Sequence, residues 1–192
     1  MLSEIKKISS LLLSVAFSSI GFIASITVTV LAAREVSSNP LFVGFPNAVG
    51  VGGAVLGTRM IYLISKNNSQ LNALAFTFLI GAFGGAIMFY SLIVDSFVLL
   101  LFGAFILGIG QSATLQTRYA ASFVASEKFK ATALSLAVWF SVFGSVFGPR
   151  MVGRYSNYFE NIFNSDLIVG YVIAFVGMLF AASSLFAFTS KK

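Results

Sequence analysis

The chain has 192 residues and a net charge of +6; 58% of its residues are hydrophobic and only 9% are charged. A soluble fold carries about 25% charged residues, so this chain cannot cover itself with a polar surface, and its solvent must be lipid. The sequence contains no cysteine and no histidine, which excludes disulfides, haem ligation and histidine-based catalysis within it. We therefore predict no metal site, no cofactor, no catalytic residues and no enzyme activity.

Six apolar segments are long enough to cross the bilayer core, which takes about 20 helical residues. Helices satisfy their backbone hydrogen bonds within the segment, and the alternation of barrel strands is absent. The sequence therefore predicts an all-α membrane protein, with residues 1–192 forming a single six-helix transmembrane domain. The spans are predicted at about 8–33, 40–64, 70–94, 96–120, 131–151 and 167–189.

Positive charges divide unevenly between the two ends of helices that alternate in direction. One side carries Lys6, Lys7, Arg59, Lys66, Arg118, Lys128, Lys130, Lys191 and Lys192, and the other carries Arg34, Arg150 and Arg154. The positive-inside rule then places both termini in the cytoplasm, in a multi-pass protein of the cell (plasma) membrane. Basic loops of this kind contact anionic lipid headgroups. No basic cluster is interleaved with aromatics as single-strand binding requires, so we expect the lipid bilayer, and no nucleic acid, as a partner.

Glycines four residues apart recur in the second, third and fifth segments. The pairs are Gly53 with Gly57, Gly81 with Gly85, and Gly144 with Gly148. Small residues at this spacing share a helix face and let two helices approach closely in lipid. We interpret the pairs as bundle packing, with a sliding surface for conformational change as the alternative.

The fourth segment is unusually polar for a membrane span. Gln111, Thr114 and Arg118 are spaced three and four residues apart, so they share one face. Polar groups in a span turn towards the bundle interior or water, and this face either lines an aqueous cavity or makes interhelical hydrogen bonds beside a topogenic arginine. The candidates for cavity lining or gating are Gln111, Thr114, Gln116, Arg118 and, from the fifth segment, Trp139.

The fifth segment ends in a glycine–proline pattern. Pro149 has no amide donor and interrupts helical hydrogen bonding, while Gly144 and Gly148 leave a groove on one face. Together they predict a bendable, closely packed helix end on the outer side. A transporter gate or hinge requires this property.

The pattern formed by Gly144, Gly148, Pro149 and Gly153 resembles the fifth-helix antiporter motif of the major facilitator superfamily. The run LGIGQSATLQTRYAAS, followed by KATALSLAVWFSVFGSVFGP, resembles the fourth and fifth helices of bacterial members. The resemblance implies transport of a small molecule, with export preferred, and a structural role for the four motif residues. It also implies that helices one and four face the cavity. Polar residues of the first segment that suit this position are Ser14, Ser18, Ser25 and Thr29.

The loop between the second and third helices of this superfamily usually contains a glycine, an acidic residue and a basic cluster. This chain keeps a remnant of that pattern in Gly53, Gly57, Arg59 and Lys66, without the carboxylate. No Asp or Glu lies inside any predicted span. The resemblance therefore leaves the coupling ion unassigned.

A full member of the superfamily has two six-helix halves, each built from inverted three-helix repeats, and this chain resembles the N-terminal half. The resemblance implies a small-molecule substrate and a second six-helix half, as a homodimer or a separate chain. Two alternatives are a truncated chain without transport activity and another six-helix transport subunit, such as the substrate-binding component of a vitamin importer.

Overall fold

Six long helices make up nearly the whole chain in the computed structural model, which describes residues 2–37, 39–163 and 165–189. They are α1 (Leu2–Val36), α2 (Phe45–Asn67), α3 (Gln70–Ile93), α4 (Phe97–Val124), α5 (Lys130–Phe163) and α6 (Ile168–Thr189). Each contains a segment long and apolar enough to cross a membrane. No strand occurs in the part of the chain that the structure describes. The predicted all-α membrane class is confirmed.

Short connections with local capping separate the helices. The hydroxyl of Ser69 accepts a hydrogen bond from the Asn72 amide at the start of α3, and Ser96 accepts one from Leu99 at the start of α4. Such caps satisfy amides that the first helical turn leaves unpaired. Asp95, between α3 and α4, has a positive φ of 48°, which aspartate tolerates better than most residues. Because the connections are this short, successive helices run in opposite directions.

The fifth helix is longer than the predicted fifth span. The predicted fifth span ended at about residue 151, whereas α5 passes through Pro149 and continues to Phe163. A proline removes one helical hydrogen bond, and the helix resumes after it. The Phe163 ring packs edge-on against Phe89 of α3, with centroids 5.5 Å apart, which ties the helix end to the bundle. The part of α5 that lies within the bilayer remains a prediction.

The helix contacts of α1–α3 are repeated by those of α4–α6. α1 packs against α5 and α6, α4 packs against α2 and α3, and α3 packs against α6. Exchanging α1 with α4, α2 with α5 and α3 with α6 reproduces the same contacts. This pattern is the one that two inverted three-helix repeats produce.

The glycine pair of α2 forms the contact with α4. A Cβ added at Gly53 would overlap the backbone carbonyl of Phe105, and one added at Gly57 would lie 2.9 Å from the Cα of Ile109. Contacts that advance together along both helices show that α2 and α4 are parallel. The two backbones meet at a distance that only glycine permits on α2.

The glycine pair of α5 makes the equivalent contact with α1. A Cβ at Gly144 would lie 2.6 Å from the carbonyl carbon of Ser19, and one at Gly148 would lie 3.0 Å from the amide nitrogen of Ala24. These helices are also parallel. A Cβ at Gly153 would meet nothing within 4 Å, so the last glycine of the motif is not a packing position in this bundle.

Candidate functional site

An open cavity of about 210 Å³ lies between α1, α2 and α4, with Met88 of α3 at its base. α1 contributes Phe22, Ser25, Ile26 and Thr29, a spacing that places four side chains on one helical face. α4 presents the same spacing. Its lining residues are Ala104, Leu107, Gly108 and Gln111. The first helices of the two repeats, α1 and α4, therefore face one cavity.

The polar part of the cavity wall is uncharged. It consists of Ser25 and Thr29 of α1, Asn47 near the start of α2, and Gln111 of α4. Ser25 donates to the carbonyl of Phe22 and Thr29 to that of Ser25, both at 2.7 Å. These hydroxyls keep lone pairs that can accept hydrogen bonds, and the two amides both donate and accept. The wall can therefore bind polar groups of a ligand through hydrogen bonds, but its described residues include no charged side chain to pair with a charged ligand.

Tyr171 of α6 contacts the cavity wall on the side away from the cavity. Its side chain is fully buried, and its hydroxyl donates to the Thr29 hydroxyl across an oxygen–oxygen distance of 3.5 Å. The two residues are 142 positions apart in sequence, so no local pattern in the apolar sixth segment pointed to the pair. Tyr171 therefore contacts Thr29 beside the cavity, while the shorter bond to the Ser25 carbonyl holds the Thr29 hydroxyl.

Replacing Tyr171 with phenylalanine should test that contact. The substitution keeps the ring and removes one long hydrogen bond, so we expect unfolding free energy in detergent to fall by about 0.6 kcal/mol, the usual value for polar pairs in membrane bundles. Tyr171→Ala, which also empties a buried ring volume, should cost about 3–5 kcal/mol. An equal loss of unfolding free energy in the two variants would show that the hydroxyl, and not the ring, makes the larger contribution to stability.

Of the five residues predicted to line a cavity or gate it, Gln111 is the one that borders this cavity. Thr114 is buried, and Gln116 and Arg118 are partly buried. The Thr114 hydroxyl, Gln116 Nε2 and Arg118 Nε have no hydrogen-bond partner within the described residues. They continue along α4 towards the end predicted to be cytoplasmic. Trp139 is 69% exposed on α5, away from the cavity.

The predicted motif residues fall into packing and surface positions. Gly53, Gly57, Gly144 and Gly148 lie at helix contacts, whereas Pro149 is exposed. Arg59 and Lys66 are exposed on the last turns of α2, where the Lys66 ammonium lies 5.4 Å from the centre of the Tyr62 ring. Within the described ranges, no group of three His, Cys, Asp or Glu residues could hold a metal ion. The functional roles assigned to these positions stay predictions.

The fold and the cavity define a multi-pass helical membrane protein with an internal wall suited to small molecules, and two curated proteins identify the family that it resembles. The uncharacterized MFS-type transporter YdeG of Bacillus subtilis (strain 168) is 29% identical over 174 residues, which cover 91% of this chain and 40% of YdeG. The uncharacterized MFS-type transporter YddS of the same strain is 29% identical over 183 residues, 95% of this chain and 42% of YddS. No protein-family model matches the chain, and no solved structure matches it.

These matches confirm the resemblance to the major facilitator superfamily (MFS) and support a transporter role in place of an enzyme. The chain spans about two fifths of the length of these curated relatives. Six helices suit one half of an MFS transporter.

Proposed function

We propose that this chain is one six-helix half of an MFS-type permease that moves a small molecule across the cell (plasma) membrane, with both termini cytoplasmic. The observation that carries the proposal is the uncharged polar cavity between α1, α2 and α4, in a chain that resembles MFS-type transporters along nearly its whole length. The charge asymmetry of the loops supports the orientation.

A second six-helix half completes the cavity in this proposal. The cavity volume, about 210 Å³, is smaller than the roughly 300–1,000 Å³ of most ligand sites. In α2 and α5 only 17% and 22% of the apolar span is buried, against 50–56% in the other four helices. The outward faces of α2 and α5 are therefore the surfaces on which a second half packs. That half is another copy of this chain or a separate six-helix segment.

The transported molecule carries hydrogen-bonding groups in this proposal. Hydroxyl and amide groups face the cavity together with Phe22 and Ile26, so the wall matches a molecule with both polar and apolar parts. Export is the direction that the resemblance of the fifth-helix motif favours.

Gln111 binds the substrate in this scheme, while the other predicted residues of α4 act towards the cytoplasmic end of the pathway. Thr114, Gln116 and Arg118 hold unpartnered buried polar atoms on the same helix, which suits groups that pair differently when the cytoplasmic side opens or closes. Trp139, exposed on α5, packs against the second half.

Cysteine labelling tests the cavity. The sequence has no cysteine, so a single introduced thiol reports its own position. Cysteine at Gln111 should react with a membrane-impermeant thiol reagent in intact membranes. Cysteine at Phe102, which is 55% exposed nine residues earlier on the opposite face of α4, should react at least about tenfold more slowly because lipid excludes water there. Faster labelling at position 102 than at 111 would contradict the proposal.

A further inference from the structure

A second cavity of about 390 Å³ lies between α5 and α6, outside the site described above. Its wall is almost entirely apolar and includes Phe17 and Ile20 of α1, Phe159 of α5, and Val172 and Val176 of α6. Few residues of α5 contact α6 directly, because both helices pack mainly against α1. The result is a long apolar groove between two helices, which we call the α5–α6 groove.

Two arginines lie at the border of this groove. Arg150 and Arg154 line an adjoining surface depression, formed by α5 alone, that shares Met151 and Tyr155 with the α5–α6 groove. Four residues apart on one helix, they present their guanidinium groups on the same face. Both side chains are exposed, and neither has an ion-pair partner among residues 2–37, 39–163 and 165–189. Two uncompensated positive charges thus adjoin an apolar groove.

The position along α5 places these charges at a membrane surface. α5 begins at Lys130, and Arg150 follows twenty residues later, about 30 Å along the helix axis. That distance matches the thickness of the hydrocarbon core. If the Lys130 end lies at one headgroup layer, Arg150 and Arg154 lie at the other. The groove then extends back into the hydrocarbon along α1 and α6, where Gly177 packs against Phe17, while its α5 wall continues outward to Phe159.

We propose that the α5–α6 groove binds an anionic phospholipid. An acyl chain fills the apolar groove, and the oxygens of the headgroup phosphate accept hydrogen bonds from Arg150 and Arg154. Guanidinium groups donate two parallel hydrogen bonds to phosphate oxygens. A zwitterionic headgroup has the same phosphate but also a cationic ammonium group, which two neighbouring arginines repel, so the pair favours a lipid with net negative charge. A free anion would leave the apolar groove empty, which is why the observations favour a lipid. This proposal does not depend on the transport proposal.

Native mass spectrometry of the purified full chain in detergent tests the lipid site directly. With phosphatidylglycerol and phosphatidylcholine added at equal concentration, we expect the phosphatidylglycerol adduct to exceed the phosphatidylcholine adduct by about tenfold. The double variant Arg150→Gln/Arg154→Gln should lose that preference, and Arg150→Lys/Arg154→Lys should retain part of it. The matched control Arg59→Gln/Lys66→Gln removes two exposed cations from α2 and should leave the preference unchanged.

A variant in the α5–α6 groove distinguishes binding of a whole lipid from binding of an anionic group to the two arginines alone. Val176 is 41% exposed, so Val176→Trp can fill the groove without a buried clash and should abolish both adducts, while glycerol phosphate should not compete with phosphatidylglycerol in the unaltered chain. Circular dichroism confirms that each variant is folded. Equal adducts of the two lipids, an unchanged preference in the glutamine double variant, or competition by glycerol phosphate would each overturn the proposal. So would a protein dimer cross-linked through Val176→Cys in place of lipid adducts.

Discussion

Replacing Gly53 with alanine is expected to separate α2 from α4 and to destabilise the bundle by about 3 kcal/mol, at the upper end of overpacking costs. The added Cβ would overlap the Phe105 carbonyl and lie 3.3 Å from the Ile109 amide nitrogen. Both atoms belong to the backbone of α4, so no change of side-chain rotamer relieves the overlap. The whole of α2 must move, and with it Gly50 and Asn47 on the cavity wall.

The adjacent glycine provides a matched control. A Cβ at Gly52 meets nothing within 4 Å, so Gly52→Ala introduces the same atoms into the same helix without overlap. Alanine is about 1 kcal/mol more favourable than glycine in a helix, and we expect Gly52→Ala to be neutral or slightly stabilising. Denaturant unfolding in mixed micelles, followed by circular dichroism, measures the difference. Equal stability of the two variants would mean that α2 and α4 are not in backbone contact at Gly53.

The helices were predictable from sequence because charged residues are scarce and confined to the ends of apolar runs. The fifth helix departs from that rule. The predicted fifth span ended at about residue 151, but the structure continues the helix to Phe163, whose ring packs on Phe89. A contact between residues so distant in sequence leaves no local signal.

The glycine spacing predicted close packing but not its partners. Gly53 and Gly57 both approach α4, as one helix face requires. Gly81 and Gly85 share the same spacing on α3, yet Gly81 approaches Gly110 of α4 and Gly85 approaches Phe175 of α6. α3 therefore lies between two helices, a position that its sequence alone does not specify.

The polarity of the fourth segment indicated which helix carries the cavity but not which of its turns borders it. Gln111 borders the cavity between α1, α2 and α4, whereas Arg118 lies two turns further along α4. Asn47, which also lines the cavity, was not singled out from the sequence. Tyr171 acts only through Thr29. Periodicity predicts a helical face, while the gaps between helices depend on packing that no single segment encodes.

The central claim, that this chain is one half of a two-half permease, predicts where a partner contacts it. Val55 of α2 and Val146 of α5 follow Gly53 and Gly144 by two residues, so they occupy equivalent positions in the two repeats. Both point away from the glycine contacts, with 66% and 48% of their surface exposed. We expect the double variant Val55→Cys/Val146→Cys, labelled at both thiols with benzophenone maleimide and irradiated in membranes, to be joined to a second half, because the benzophenone inserts into C–H bonds of any chain packed against it.

The matched control places cysteines at Phe83 of α3 and Leu179 of α6, which are 67% and 36% exposed on the helices that we expect to face lipid. Cross-linking followed by electrophoresis and mass spectrometry of the product is the most direct test. We expect the α2/α5 variant to shift from 20.5 kDa to the mass of a complex with a second six-helix half, and the α3/α6 variant to stay monomeric. A monomer in both, or a complex formed only through α3 and α6, would contradict it.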